Sequence, residues 1–324
     1  MVVRYEPVRE DEREEFQPTR FLKAIDTAYE VDRWEAIRVP QREFSKIHFV
    51  DGVRFTDLRT RIFENRRFLG EGIFLSLAAG VCSVERDNLG RYDYSVIHPT
   101  VERYFVHNAE GGDFPEEMRF VIGKVEVVYK TERAKDLGLR ASFLLRRLEK
   151  EVVKKLWKGG MDGFTLMDGT VKTRRFVPNA AHLVKQNSNI HLSGEYLDVL
   201  FSLKPGERTP AFVFEELTDP KTPEGEKQSI KKVGIYACLP SWNSAPPDNL
   251  VRLELPFDEK ADPKEVIDTL EKAAAIALKF ANHPLRDRRS PQNLTAIAYL
   301  EKNLRAYLGN HKLIRSYLIT HLNR

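Results

Sequence analysis

Two segments of this sequence close an apolar run in the same way, Phe49-Val50-Asp51-Gly52 and Leu166-Met167-Asp168-Gly169. An Asp at the end of a buried strand, followed by a flexible Gly, projects into the crevice at the carboxyl edge of a sheet. On neighbouring strands two such carboxylates meet, and like charges so close repel unless a proton or a cation intervenes. The pair therefore points to a metal site whose oxygen ligands suit hard Mg2+ or Mn2+. Asp-Gly is also a common turn dipeptide. That is the reading for Asp162-Gly163, which precedes its strand instead of closing it.

A third acid is expected from the helix before the second strand. Leu145, Leu148, Val152 and Leu156 recur at helical spacing and define a buried face. Glu149 lies roughly 55° from the centre of that stripe, and Glu151 roughly 105° away, towards Lys154. The phase predicts that Glu149 faces the two aspartates, with Glu151 in reserve. A carboxylate at a buried edge costs several kcal/mol unless it is paired, hydrated or bound to metal. A cation shared with Asp51 and Asp168 would serve, and so would a salt bridge to Arg146 or Arg174. Other chemistries lack their residues. There is no G-x-S-x-G elbow, no GxxxxGK[ST] phosphate loop and no His pair at zincin spacing. Cys82 and Cys238 sit in apolar stretches and read as buried thiols, not as a disulfide or a zinc site.

The elements that must position these acids read as an α/β fold with a mixed sheet flanked by helices. Residues 21–34 place Phe21-Leu22, Ile25, Ala28-Tyr29 and Trp34 at helical spacing, which predicts an N-terminal helical extension over residues 1–40, a segment either for dimer or partner contacts or for core packing. A mainly β region follows to about Tyr129, with strands at Arg54-Phe-Thr, Arg61-Ile-Phe, Gly72 to Leu77 and Tyr92 to Ile97. Residues 134–157 are predicted helical and end at Gly159-Gly160. Further strands are expected at 211–214, 233–239 and 250–255, and helices at 263–282, after Asp262-Pro263, and at 292–308. The Pro- and Gly-rich stretch 218–227 reads as an exposed loop. Residues 41–324 are thus one main domain with C-terminal helical additions. The chain is 42% hydrophobic and 31% charged, with a net charge of +4. Residues 283–324 carry eight Lys/Arg against two acids, as suits a solvated face or a polyanion contact. No apolar run approaches a membrane span and the first residues lack a secretory core, so a cytoplasmic protein is expected.

In this order, the FVDG strand, an acidic helix, the LMDG strand, then HLVKQ and GERTPAF resemble the NurA family of prokaryotic DNA-repair nucleases. The C-terminal run Asp287-Arg-Arg-Ser-Pro-Gln-Asn-Leu294, followed by Leu300-Glu and Leu308-Gly, is similar to bacterial members. The resemblance covers about residues 45–310 and rests on the order of several short motifs. It implies a ribonuclease-H-like fold, a homodimer, and docking onto the hexameric HerA-type ATPase in DNA end resection. It also implies Mn2+-supported cleavage of single- and double-stranded DNA, as a 5′–3′ exonuclease and single-strand endonuclease. By matching motifs, Asp51, Glu149 and Asp168 would be the metal-binding acids, with Asp287 as the C-terminal candidate and His283 behind it.

Such a cluster would hold two divalent ions roughly 3.5–4 Å apart around one phosphodiester. Lys185 would offset phosphate charge. Arg174, Arg175, Lys185, Arg288 and Arg289 would hold the DNA backbone without reading bases. Phe176 and Tyr236 are either base platforms or core. Two other readings remain: a non-catalytic DNA-binding adaptor that loads or regulates an ATPase, and a ribonuclease-H-like junction resolvase.

Overall fold

The computed structural model describes residues 3–7, 20–160, 162–171, 173–185, 189–218, 228–241, 246–283, 285, 287 and 289–322. The strands before the first long helix are β1 (Val3–Pro7), β2 (Arg20–Phe21), β3 (Ile37–Arg38), β4 (Lys46–Glu64), β5 (Arg67–Arg86), β6 (Tyr92–His107), β7 (Glu117–Ile122) and β8 (Val125–Arg133). Helix α1 (Leu137–Lys158) leads to β9 (Phe164–Asp168), β10 (Ala180–Val184) and β11 (Asn189–Ile190). The short helix α2 (Tyr196–Ser202) precedes β12 (Glu207–Arg208), β13 (Phe212–Thr218), β14 (Gln228–Cys238) and β15 (Leu250–Pro256). Three helices finish the described chain: α3 (Pro263–Lys279), α4 (Thr295–Leu308) and α5 (His311–Leu322).

One mixed sheet organises the molecule, in the order β3-β12-β14-β15-β10-β9-β4-β5-β6-β8-β7. Its centre is an antiparallel meander of β4, β5 and β6, with β9 added parallel to β4 and β10 parallel to β9. Side chains alternate across a strand, and β5 shows it plainly. Leu75, Leu77, Ala79 and Val81 pack under α1 through Leu144, Leu148 and Val152. Ala78, Cys82 and Val84 face the opposite layer, with Ile276 of α3 and Leu300 of α4. β5 is therefore buried on both faces from Gly72 to Val84, and there it reads as a near-continuous apolar run.

Local signals explain the helix ends. The Asp136 carboxylate caps α1 by accepting from the Leu139 amide, Lys155 and Lys158 sit in its last turn, and Gly159 is its C-cap. The Asp262 side chain caps α3, where Pro263 occupies the first turn. Among the described residues, no helix is long and apolar enough to cross a membrane. Both cysteines are buried and free, and burial pushes the Cys82 thiol up to about 12.

Two expectations are corrected. Residues 20–40 contain no helix: β2 pairs with β11 in a separate two-stranded sheet and β3 forms an edge of the main one, with Leu22 donating to the Ile190 carbonyl and Asp26 bridging to Val213. The helical spacing there arises because Ala24 and Trp34 enter the cluster around Leu200, Phe212 and Tyr236, while Tyr29 packs near Phe257. These cross-chain contacts outweigh a short helix that would be marginal alone. Second, Asp51-Gly52 closes nothing, because the 19-residue β4 runs on to Glu64 and absorbs the two strands expected at Arg54 and Arg61. Residues 219–227 of the expected loop lie outside the described residues.

Candidate active site

The parallel register of β4 and β9 pairs Val50 with Met167, so Asp51 and Asp168 follow side by side on neighbouring strands. By strand alternation Asp51 shares the face of Phe49 and Val53, and Asp168 the face of Leu166. β9 ends at Asp168, which leaves a cleft of about 990 Å3 beyond its last residue, walled by α1 on one side.

Glu149 comes from α1, and its carboxylate lies over Gly52 on the α1 face of β4. A Cβ at Gly52 would lie 2.8 Å from Glu149 Oε1, 2.8 Å from Leu145 Cδ1 and 3.2 Å from the Ala78 carbonyl. Gly52 thus leaves room for the Glu149 carboxylate and the Leu145 side chain to lie against β4, and it makes no turn. Glu149 lines the cleft with Asp51 and Asp168, whereas Glu151 is exposed and paired to Lys154 at 2.6 Å.

Asp51 is the buried member, only 6% exposed. Its Oδ1 accepts from the Gly52 amide at 2.7 Å, and its Oδ2 is buried with no hydrogen-bond partner among the described residues. Burial, then the neighbouring Asp168, push its carboxyl well above the usual range against the pull of Lys185. Asp168 accepts from Lys185, whose Nζ lies 2.8 Å from Oδ2. The same Nζ donates to Asn293 Oδ1 at 2.9 Å. Burial lowers the Lys185 ammonium, but Asp168 and Asp51 outweigh it and leave it raised, hence charged.

Neither a protein-family model nor a curated protein matches this chain.

The other expected residues divide. Asp287 does not line the cleft: its carboxylate accepts from the Arg289 amide at 2.8 Å and from Asn293 Nδ2 at 2.6 Å. Burial raises the Asp287 carboxyl, but these donors outweigh it and hold it down, so both oxygens are spoken for within its own turn. Asp287 reaches the acids only indirectly, through Asn293 and Lys185. His283 accepts from the Leu285 amide in that turn and is also off the cleft. Arg175 and Arg289 line the cleft, while Arg174 is exposed on a bend beside it. Arg288 lies outside the described residues. Phe176 and Tyr236 are core residues, the Tyr236 hydroxyl accepting from the His191 amide.

Two features escaped the sequence reading. Glu301 of α4 is buried, paired to Arg289 and 3.6 Å from Arg305, and its charge acts on both Asp51 and Lys185. It lies between Leu300 and Leu304 on the buried stripe of α4, so the phase argument that singled out Glu149 would have found it. The second is a buried charged network under the turn that follows Asp168. Glu254 Oε1 accepts from the Val171 amide at 2.6 Å, from Thr170 Oγ1 and from Lys232 at 3.0 Å. Arg252 binds its other oxygen at 2.9 Å, and Glu216 completes the set on Lys232 and Thr170. These residues come from three strands, and only their pairing in the sheet brings them together.

The arrangement has a place for a cation. Asp51 Oδ2 is an orphaned buried acceptor, and Glu149 and Asp168 line the same cleft. Among the described residues, no three Asp, Glu, His or Cys side chains are already gathered as a closed ligand set, and Asp168 is turned to Lys185. The donors fit hard divalent ions, with Lys185 as the internal counter-charge.

Proposed function

We propose that this chain hydrolyses DNA phosphodiester bonds with divalent ions held by Asp51, Glu149 and Asp168, as a nuclease of the NurA type. One observation carries the reading: a buried carboxylate with an unpartnered oxygen sits beside two further acids in a cleft whose walls carry Arg54, Arg146, Lys150 and Arg175. Acids at the floor and cations on the walls suit a ligand that is itself an anion, provided metal joins the two. The meander β4-β5-β6, extended by parallel β9 and β10 beyond its first strand, supports a ribonuclease-H-like sheet.

The bound ions, Mn2+ or Mg2+, would activate water and offset phosphate charge. Asp51 and Glu149 would hold them from below and from the helix side. Asp168 would join them on exchanging its ammonium partner, and Lys185, still anchored by Asn293, would turn its charge to the phosphate. Arg175 and Lys150 would grip the backbone without reading sequence. A homodimer, a HerA-type ATPase partner and 5′–3′ exonuclease and single-strand endonuclease activity belong to the same proposal and rest on the motif resemblance.

A second reading, a DNA-binding adaptor, is favoured by the Asp168–Lys185 pair, because the protein already supplies that acid with a cation. One assay separates the two: purified protein with labelled linear single- and double-stranded DNA, in Mn2+ and in EDTA. Degradation in Mn2+ that stops in EDTA is expected. DNA bound but uncut in Mn2+ would favour the adaptor.

A further inference from the structure

The cleft is longer than its acids need. Residues of α1 line it from Ser142 to Trp157 at steps of three and four, a span of 15 residues or about 22 Å at 1.5 Å per residue. Two neighbouring rows run along this face. Leu145, Glu149, Val153 and Trp157 form one, and Arg146, Lys150 and Lys154 the other. One flank is thus apolar around the glutamate, and the other is cationic. A single nucleic-acid strand has the matching asymmetry, with phosphates along one edge and base faces along the other. A duplex hides its base faces in the stack.

Trp157 ends the apolar row two turns beyond Glu149, about 12 Å along the helix axis. Its ring is only partly buried against the core under α1, and its indole N–H has no hydrogen-bond partner among the described residues. A buried indole N–H ordinarily finds an acceptor. The indole N–H is itself buried, so what Trp157 offers at the cleft is its partly exposed ring, and a nucleobase has the π-face to meet it.

We infer that Trp157 forms a base-binding subsite, stacking on an unpaired nucleotide of a strand that lies along α1 with its phosphates on Arg146, Lys150 and Lys154. The inference rests on the DNA reading above and names the substrate form, an unpaired end or single strand. At 3.4 Å per stacked nucleotide, 22 Å holds about six nucleotides, and Trp157 is about three or four from the phosphate at the acids.

The test is binding in EDTA, where cleavage plays no part. A thymidylate hexamer, a thymidylate dimer and an abasic hexamer with the same phosphates are titrated by anisotropy and by tryptophan fluorescence. The thymidylate hexamer should quench wild-type fluorescence, and the abasic hexamer and the dimer should not. Trp157→Ala should weaken the thymidylate hexamer about tenfold and leave the abasic hexamer within twofold, as expected for one lost stacking contact. Trp157→Phe should retain most of the affinity while losing the quench, which guards against a variant that merely fails to fold. Equal losses for both hexamers, unchanged affinity in a folded Trp157→Ala protein, or no hexamer binding at all would overturn the subsite. Base-dependent binding without Mn2+-dependent cleavage would instead overturn the nuclease reading alone, and Mn2+-dependent cleavage with binding that ignores the bases would overturn the subsite alone.

Discussion

Asp51 carries the largest electrostatic burden of any acid in the cleft, since burial, Asp168 and Glu149 all favour its neutral form. A carboxyl with a raised folded pKa contributes stability that is full below its unfolded value of about 3.9 and lost as pH rises through the folded value. At neutral pH without divalent ions that contribution is diminished and the buried carboxyl costs stability. Asp51→Asn should melt higher than wild type in EDTA, by about 2 °C or more for each kcal/mol relieved, and the gap should narrow when Mn2+ is added. In Mn2+ the same variant should lose cleavage by orders of magnitude while binding DNA about as well as wild type, because the cationic walls are intact. Wild-type cleavage by a folded Asp51→Asn protein would remove Asp51 from the chemistry and return the adaptor reading to first place. Gly52→Ala probes the room left for Glu149. The added methyl meets two flexible side-chain ends at 2.8 Å, which can shift, and the Ala78 carbonyl at 3.2 Å, which yields less. A stability loss of about 1–3 kcal/mol is expected, with cleavage falling at least tenfold because the end that shifts is Glu149 Oε1. Kinetics beside urea unfolding would check it. Unchanged kinetics would mean that Glu149 has no role beside Gly52.

At the scale of elements, the turn after β9 is held by charges from β13, β14 and β15. Lys232 is fully buried between Glu216 and Glu254, and removing it would take from both carboxylates a cation they share with Arg252. Breaking such a set from one side is strongly destabilising, so Lys232→Met should cost about 3–5 kcal/mol in urea unfolding. Burial pushes the Glu254 carboxyl up, but Arg252 and Lys232 outweigh it and hold it down at about 2. A depressed carboxyl contributes stability that is full above its unfolded value of about 4.3 and lost as pH falls towards about 2. Stability measured from pH 6 to 2 should therefore fall steeply below about pH 4, and Glu254→Gln should flatten that limb. An unchanged acid limb would show that the network is not what ties β9 and its turn to the outer strands.

At the scale of the whole molecule, the two helical layers and the sheet between them create one long cleft with acids in its floor and cations on its walls. Each wall cation that meets a phosphate adds to the salt dependence of binding. Replacing Lys150 and Arg175 together by Ala should reduce the slope of log K against log salt by about 1.4 for single-stranded DNA, about 0.7 for each contact. Arg174, exposed beside the cleft, serves as the control, and its replacement by Ala should leave the slope unchanged. Equal slopes for all three proteins would place the DNA on another surface.

Local patterns in the sequence were enough for the strands Phe49–Val50 and Phe164–Asp168, for α1 with its end at Gly159, for α3, and for the choice of Glu149 over Glu151. Each follows from periodicity, capping or side-chain direction, which act over a few residues. Local patterning misled at residues 20–40, where apolar spacing compatible with a helix is used for contacts along a sheet edge. It also misassigned Gly52, whose need for a bare Cα comes from a helix almost a hundred residues away. Asp287 is a ligand candidate on the motif resemblance alone, and in the structure its own turn supplies donors to both of its oxygens. The register that sets Asp51 beside Asp168, the buried Lys232–Glu254 network and the approach of Glu301 all depend on which strands pair and which helix covers them. Sheet order and helix docking are set by the packing of distant apolar faces, so only the tertiary structure decided them.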